Sequence, residues 1–172
     1  PAAFTDPAFF DGQNMVDFLH NLNALHDRIT GTFLNYVPPE FQIDGQAIID
    51  PNIVQYFGAS LGGILGNTFM AFDQDIERGA LGVPGGPWTL LFERSTYWPP
   101  LRITMQGAYV NNGWDYQQNV ALFGMMFDPV DPITSASRVI ANPLPDTSSK
   151  QVFLYMAMGD SLVSNVASLV MT

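Results

Sequence analysis

The sequence predicts an α/β fold carried on a parallel sheet with crossover helices, on three observations. Three short apolar runs, residues 53–57, 79–84 and 151–157, have the length and composition of buried strands. Stretches of helical spacing lie before, between and after them, the alternation that builds parallel sheets. The first run passes through Gly58-Ala59-Ser60-Leu61-Gly62-Gly63 straight into one of those helical stretches. Three strands cannot close such a sheet and would leave its edges bare. The chain is therefore expected to be part of a larger domain.

Each element has its own signal. Residues 1–11 read as an extended lead-in broken by Pro1 and Pro7. Asp11 can cap a helix over 13–29, where Met15, Phe18, Leu19, Leu22, Leu25 and Ile29 recur at helical spacing and Gly31 lies just past the end. Segment 35–50, with Pro38-Pro39 and Gly45, reads as a loop holding a short ordered piece, and Asp50-Pro51-Asn52 as the turn into the first strand. After the glycine-rich turn, Ile64, Leu65, Asn67, Phe69, Met70 and Ala71 belong to a helix. The second strand stops at Pro84-Gly85-Gly86-Pro87. From there to about Pro145 the chain is rich in aromatic residues and methionine, with helices expected at 88–95, 115–127 and 133–140. A turn-rich loop over 144–150 leads to the third strand, which ends in Met158-Gly159-Asp160, and a last helix starts near Val163. The implied organisation is a core segment over 1–84, an insertion over 85–150 and a return to the core over 151–172.

A chain of 172 residues that is 47% hydrophobic can bury the core of one domain. Only 13% of its residues are charged, about half the usual share, so some apolar surface is expected to face further chain or a partner. Sixteen acidic against six basic residues give a net charge of −10. That argues against nucleic acid and anionic membrane surfaces, which recruit Lys/Arg patches. There is no cysteine, hence no disulfide and no thiolate metal site, and nothing in the sequence asks for a cofactor. No apolar stretch reaches transmembrane length. The chain opens at Pro1 with neither Met nor a basic-then-apolar leader, which points to a processed or trimmed polypeptide. An acidic, cysteine-free chain is compatible with an extracellular or periplasmic location.

Chemistry is expected at Ser60. A serine in a tight strand-to-helix turn is held in a strained backbone conformation, and side chains two residues to either side would collide with the neighbouring strand and helix. Such a serine is presented at a helix N-terminus, where free N–H groups and the helix dipole stabilise a developing oxyanion. The alternative is a glycine-rich turn whose serine merely caps the helix. A serine hydroxyl becomes a useful nucleophile when a base takes its proton and a carboxylate orients that base. Sites in open parallel sheets gather at the C-terminal ends of strands. Asp160 follows the third strand as Ser60 follows the first, so both can converge on one edge of the sheet. Asp160 can instead cap the helix beyond it.

With these residues the chain resembles the α/β-hydrolase superfamily over nearly its whole length. The helix over 13–29 is similar to the one packed before the family's nucleophile strand. GASLGG matches the nucleophile elbow, and LYMAMGDSLVSN resembles the strand and loop that bear the triad acid. Residues 85–150 fall where the family commonly inserts a helical cap or lid. The resemblance implies a three-layer sandwich of which this chain is a part, and hydrolysis of a small-molecule or lipid-like ester through an acyl-enzyme. It implies Ser60 as nucleophile, Asp160 as triad acid and the backbone N–H of Leu61 as half of the oxyanion hole. The family's histidine comes after the acid, beyond one more strand, whereas this sequence stops at Thr172. His20 and His26 lie on the upstream helix, His26 on the face of Met15, Leu19 and Leu22, His20 on the polar face near Asp27. The base, the early strands and the second oxyanion donor are thus expected from outside these residues, from a companion chain or fragment. Removing the base from a serine triad costs on the order of 10⁶ in turnover, so this polypeptide alone is expected to be nearly inert.

Other features read more plainly. The middle segment, with Trp88, Phe92, Met125 and Met126, suits either a functional apolar surface (an acyl pocket or a partner surface) or an ordinary core equally well, and as a pocket it favours a hydrophobic acyl or aryl ester. Asp73, Asp75 and Glu77, or Asp128 and Asp131, lack the glycine and bidentate glutamate of a calcium loop and read as solvated turn and capping residues. The diglycines at 62–63 and 85–86 lack the lysine of a phosphate-binding loop. The absent histidine and bare sheet edges also support a second reading, a non-catalytic, hydrolase-derived scaffold or binding subunit.

Overall fold

The computed structural model describes residues 39–48, 53–97 and 113–172, together with Asp17, His20, Asn21, Ala24, Val37, Asp50, Pro99 and Ile103. Most of the helix expected over 13–29 lies outside the described residues. The four described within it (Asp17, His20, Asn21 and Ala24) are helical, exposed and spaced to share one face.

The ordered piece expected within 35–50 is a hairpin, β1 (Gln42–Ile43) and β2 (Gln46–Ala47), running antiparallel. Its two-residue turn, Asp44-Gly45, has φ of 51° and 76°, both left-handed as a type I′ hairpin requires. The main sheet has three strands, β3 (Gln55–Ala59), β4 (Arg78–Gly82) and β5 (Gln151–Tyr155), all parallel and in that order. The helices whose bounds lie within the described residues are α1 (Leu61–Phe72), α2 (Trp88–Arg94), α3 (Gly113–Phe127), α4 (Pro132–Val139) and α5 (Asn165–Leu169). The molecule is thus a mixed α/β fold on a small parallel sheet, with strand and helix positions within a few residues of those expected.

The register aligns Phe57, Ala80 and Phe153 on one face of the sheet and Gly58, Leu81 and Leu154 on the other. The second face is buried: Leu81 is fully enclosed, and Tyr56, Val152 and Leu154 pack around the core that includes α1. On the first face Phe57 is 71% and Phe153 65% exposed, and Arg78 Nε donates to Gln151 Oε1 at 2.9 Å across the strand ends. The expectation of buried strands is corrected here. Side chains alternate across a pleated sheet, and among the described residues only the α1 face is covered. Ile53, expected inside the first strand, precedes it and is exposed.

The covered side holds one continuous core. Ile64, Leu65, Phe69 and Met70 of α1 meet Trp88, Leu91 and Phe92 of α2, Phe127 of α3 and Ala167 of α5. Each large side chain so buried contributes roughly 1.5–3 kcal/mol relative to exposure. Within it Trp88, Phe92, Phe123 and Phe127 form an aromatic cluster with ring centroids 5.3–6.0 Å apart. The insertion over 85–150 therefore shares its core with α1 and β4. The polar side of α1 is used as well. Asn67 Nδ2 donates to Pro132 O at 2.9 Å and Ser135 Oγ at 3.1 Å, and Thr68 Oγ1 donates to Val130 O at 3.3 Å, which docks α4 on α1.

The acidic turn residues do cap, but from inside the fold. Asp73 Oδ1 accepts from Asp75 and Ile76 at 2.9 and 2.7 Å. Asp131 joins two helix starts, Oδ2 accepting from Trp88 N at 2.8 Å and Oδ1 from Ile133 N at 3.0 Å. Both carboxylates are buried, which corrects the solvated reading for these two, whereas Asp75, Glu77 and Asp128 are exposed as expected. Orphan N–H groups at helix and turn starts inside a core need an acceptor that water cannot supply there. Lys150, also buried, donates from Nζ to Asp73 O at 2.6 Å and braces the same corner.

Candidate active site

β3 delivers the chain to Ser60 with a backbone that serine rarely adopts, φ 56° and ψ −121°. A non-glycine residue held so costs of order 1–3 kcal/mol and persists only where its surroundings over-determine it. They do so here. Ser60 N donates to Gly82 O at 3.0 Å on the sheet side, and Ile64 N donates to Ser60 O at 2.9 Å on the helix side.

Close approach explains the glycines, with one correction. A Cβ at Gly58 would fall on the carbonyl of Gly62, as expected. At Gly62, however, it would meet nothing nearer than Tyr56 Oη at 3.9 Å. The residue that lets the helix meet the sheet is Gly63, whose Cβ would fall on the carbonyl oxygen of Gly82. The first turn of α1 lies directly against the end of β4, and residue 63 rather than 62 points at that strand.

Tyr56, which sequence reasoning passed over as one apolar strand residue, braces the elbow. Its hydroxyl donates to Gly62 O at 2.7 Å, and its ring packs on Phe69 at 5.4 Å. Burial raises the phenol pKa, which keeps it a neutral donor. A polar tip on an otherwise apolar strand was the available signal.

Ser60 stands at the N-cap of α1 yet makes no side-chain cap bond, and its exposed hydroxyl has no hydrogen-bond partner among the described residues. The simple capping alternative does not describe this serine. Leu61 begins α1, so its N–H has no intrahelical acceptor and points from the positive end of the helix.

Ser60 and Leu61 border a cleft of about 110 Å³. Its deep side is Ile64 of α1 with Trp88, Leu91 and Phe92 of α2, all buried, and Leu162 and Val163 form the opposite wall. Among the described residues no charged side chain lines it. Of the middle segment, Trp88 and Phe92 belong to the core, as the core reading expects, and also line this cleft, whereas Met125 and Met126 do neither and are exposed. Trp88 Nε1 is the one buried side-chain nitrogen or oxygen without a hydrogen-bond partner among the described residues.

Asp160 follows β5, at the same C-terminal end of the sheet as Ser60. Its Oδ1 accepts from Leu162 N at 2.8 Å and Val163 N at 3.0 Å, while Oδ2 has no partner among the described residues. The carboxylate therefore organises the turn whose Leu162 and Val163 form the cleft wall, and does not itself line the cleft. Thr96 N donates to Ser161 O at 2.8 Å and ties that turn to the end of α2. The cap of α5 proper is Ser164. His20 is exposed on its helix, and His26 lies outside the described residues.

Among the described residues no group of His, Asp and Glu could hold a metal ion, and no helix is long and apolar enough to cross a membrane. No protein-family model, curated protein or solved structure matches this chain.

Proposed function

We propose that this chain is part of a serine hydrolase acting on carboxylic esters through an acyl-enzyme, its base histidine supplied from outside the chain by a companion chain or fragment. The observation that carries this reading is the backbone of Ser60, strained between strand and helix with its hydroxyl unspent beside an apolar cleft. In this reading the sheet is one part of a three-layer α/β-hydrolase sandwich, and 85–150 is its cap insertion.

The chemistry follows from the residues. A base removes the proton from Ser60 Oγ as that oxygen attacks the ester carbonyl. The carbonyl oxygen becomes an oxyanion beside the Leu61 N–H, in the field of the α1 N-terminus. Collapse breaks the ester C–O bond, and the base returns its proton to the departing alcohol. Water, activated by the same base, then cleaves the acyl-serine. Asp160 is the acid that orients the base through Oδ2, with Oδ1 already held by two N–H groups.

The test is mass spectrometry of the native assembly after treatment with a fluorophosphonate. A stoichiometric adduct on Ser60 is the expected result, and an unmodified Ser60 in folded protein would overturn the reading. That second outcome would favour a non-catalytic scaffold or binding subunit, for which the exposed Phe57 and Phe153 on the open sheet face speak.

A further inference from the structure

We propose that the cleft beside Ser60 is an acyl pocket restricted to short acyl groups of up to about five carbons. The inference rests on the esterase reading and names its substrate class. The cleft volume is about 110 Å³. An apolar protein cavity of about 150 Å³ accommodates benzene, six carbons, so this one holds about four or five. Among the described residues no charged side chain lines it and its buried part is apolar, which favours an uncharged, apolar acyl group.

What limits the length is the floor. Ile64, Trp88, Leu91 and Phe92 are each at least 91% buried, and all belong to the main core. Trp88 and Phe92 stack at 5.6 Å, and both pack on Phe127, which is fully enclosed. A close-packed interior does not yield a further methylene without displacing its neighbours. The wall opposite is fixed as well, because Asp160 Oδ1 holds the backbone of Leu162 and Val163. A longer chain must therefore leave its distal carbons in water or distort the core.

The experiment uses alkylphosphonofluoridates, in which phosphorus replaces the acyl carbon and the alkyl group takes the acyl position. Oγ–P bond formation expels fluoride, and the Ser60 proton goes to the base. Ethyl, butyl, octyl and dodecyl reagents are compared by their rate of Ser60 modification in the native assembly. The ethyl and butyl reagents are expected to react at least ~10-fold faster than the octyl and dodecyl ones, since one misfit methylene in an apolar pocket is worth that much. Leu91→Ala and, as a milder change, Val163→Ala should raise the octyl rate toward the butyl rate. Modification of Ser60 by octyl or dodecyl reagent as fast as by butyl would overturn the pocket assignment and leave the esterase reading standing. Failure of every reagent to modify Ser60 would overturn both.

Discussion

Ser60 and Ser164 each stand at the N-cap of a helix that follows a strand of the same sheet, yet they use their atoms in opposite ways. Ser164 has an ordinary backbone, φ −59° and ψ 141°, and its hydroxyl accepts from Ala167 N. Ser60 has φ 56° and ψ −121° and caps nothing. A serine cap stabilises a helix by about 1 kcal/mol, and a backbone strained like that of Ser60 costs about 1–3 kcal/mol. On local grounds Ser60 is therefore about 2–4 kcal/mol worse than a residue built like Ser164. The Tyr56–Gly62 hydrogen bond, the Ser60–Gly82 ladder bond and the approach of Gly63 to β4 offset that deficit. A position that forgoes local stability twice while neighbours hold it in place is where function is expected.

The largest effect that can break this comparison is on reactivity. Ser60→Ala should abolish fluorophosphonate labelling and lower ester turnover on the order of 10⁶-fold, with no loss of thermal stability. Retained labelling in that variant would end the nucleophile assignment. The glycine pair gives the next largest effect. Gly63→Ala should lower the unfolding free energy by about 3 kcal/mol or more, because its Cβ meets backbone that cannot yield. Gly62→Ala, one residue away, should be neutral or stabilise by up to about 1 kcal/mol through helix propensity. Urea denaturation of the two variants measures the difference.

Asp131 extends the contrast to a buried cap. Asp131→Ala should cost about 2–4 kcal/mol, since the N–H groups of Trp88 and Ile133 both lose their acceptor. Desolvation raises the Asp131 carboxyl pKa above its ordinary 3.8, with Asp128 adding to it and the two N–H donors opposing it. The folded state thus binds this proton more tightly than the unfolded chain does. Its contribution is fully present below 3.8 and is lost as pH rises through the raised value. Thermal melts from pH 3 upward should show that component in the native protein and not in Asp131→Asn. Ser164→Ala gives the smallest effect, a stability loss of about 1 kcal/mol with the labelling rate of Ser60 unchanged.

Periodicity and turn chemistry made the element positions legible, because both act within a few residues. The three helices expected at 88–95, 115–127 and 133–140 correspond to α2, α3 and α4. Ser60 was legible as a site candidate because a tight strand-to-helix turn needs glycine on either side. Which glycine carries the contact was not, since it depends on where Gly82 of a different strand lies. The place of Asp160 was likewise half legible. Its turn position could be read from sequence, but not that its two N–H partners belong to the residues walling the cleft.

The sequence by itself determined the alternation of strands and helices, the acidic and cysteine-free character of the chain, and the presence of a serine in a glycine-rich turn. Those properties come from composition and from contacts between near neighbours along the chain. Only the tertiary structure decided that, among the described residues, one face of the sheet stands open, Asp73 and Asp131 cap from within the core, and Ser60 leaves its hydroxyl unspent. Each of these depends on which distant segments pack together: α1 against one side of the sheet, α2 against α4 through Asp131, and β4 beneath the elbow. A residue's burial and strain are set by those neighbours, and local sequence does not encode where they come to rest.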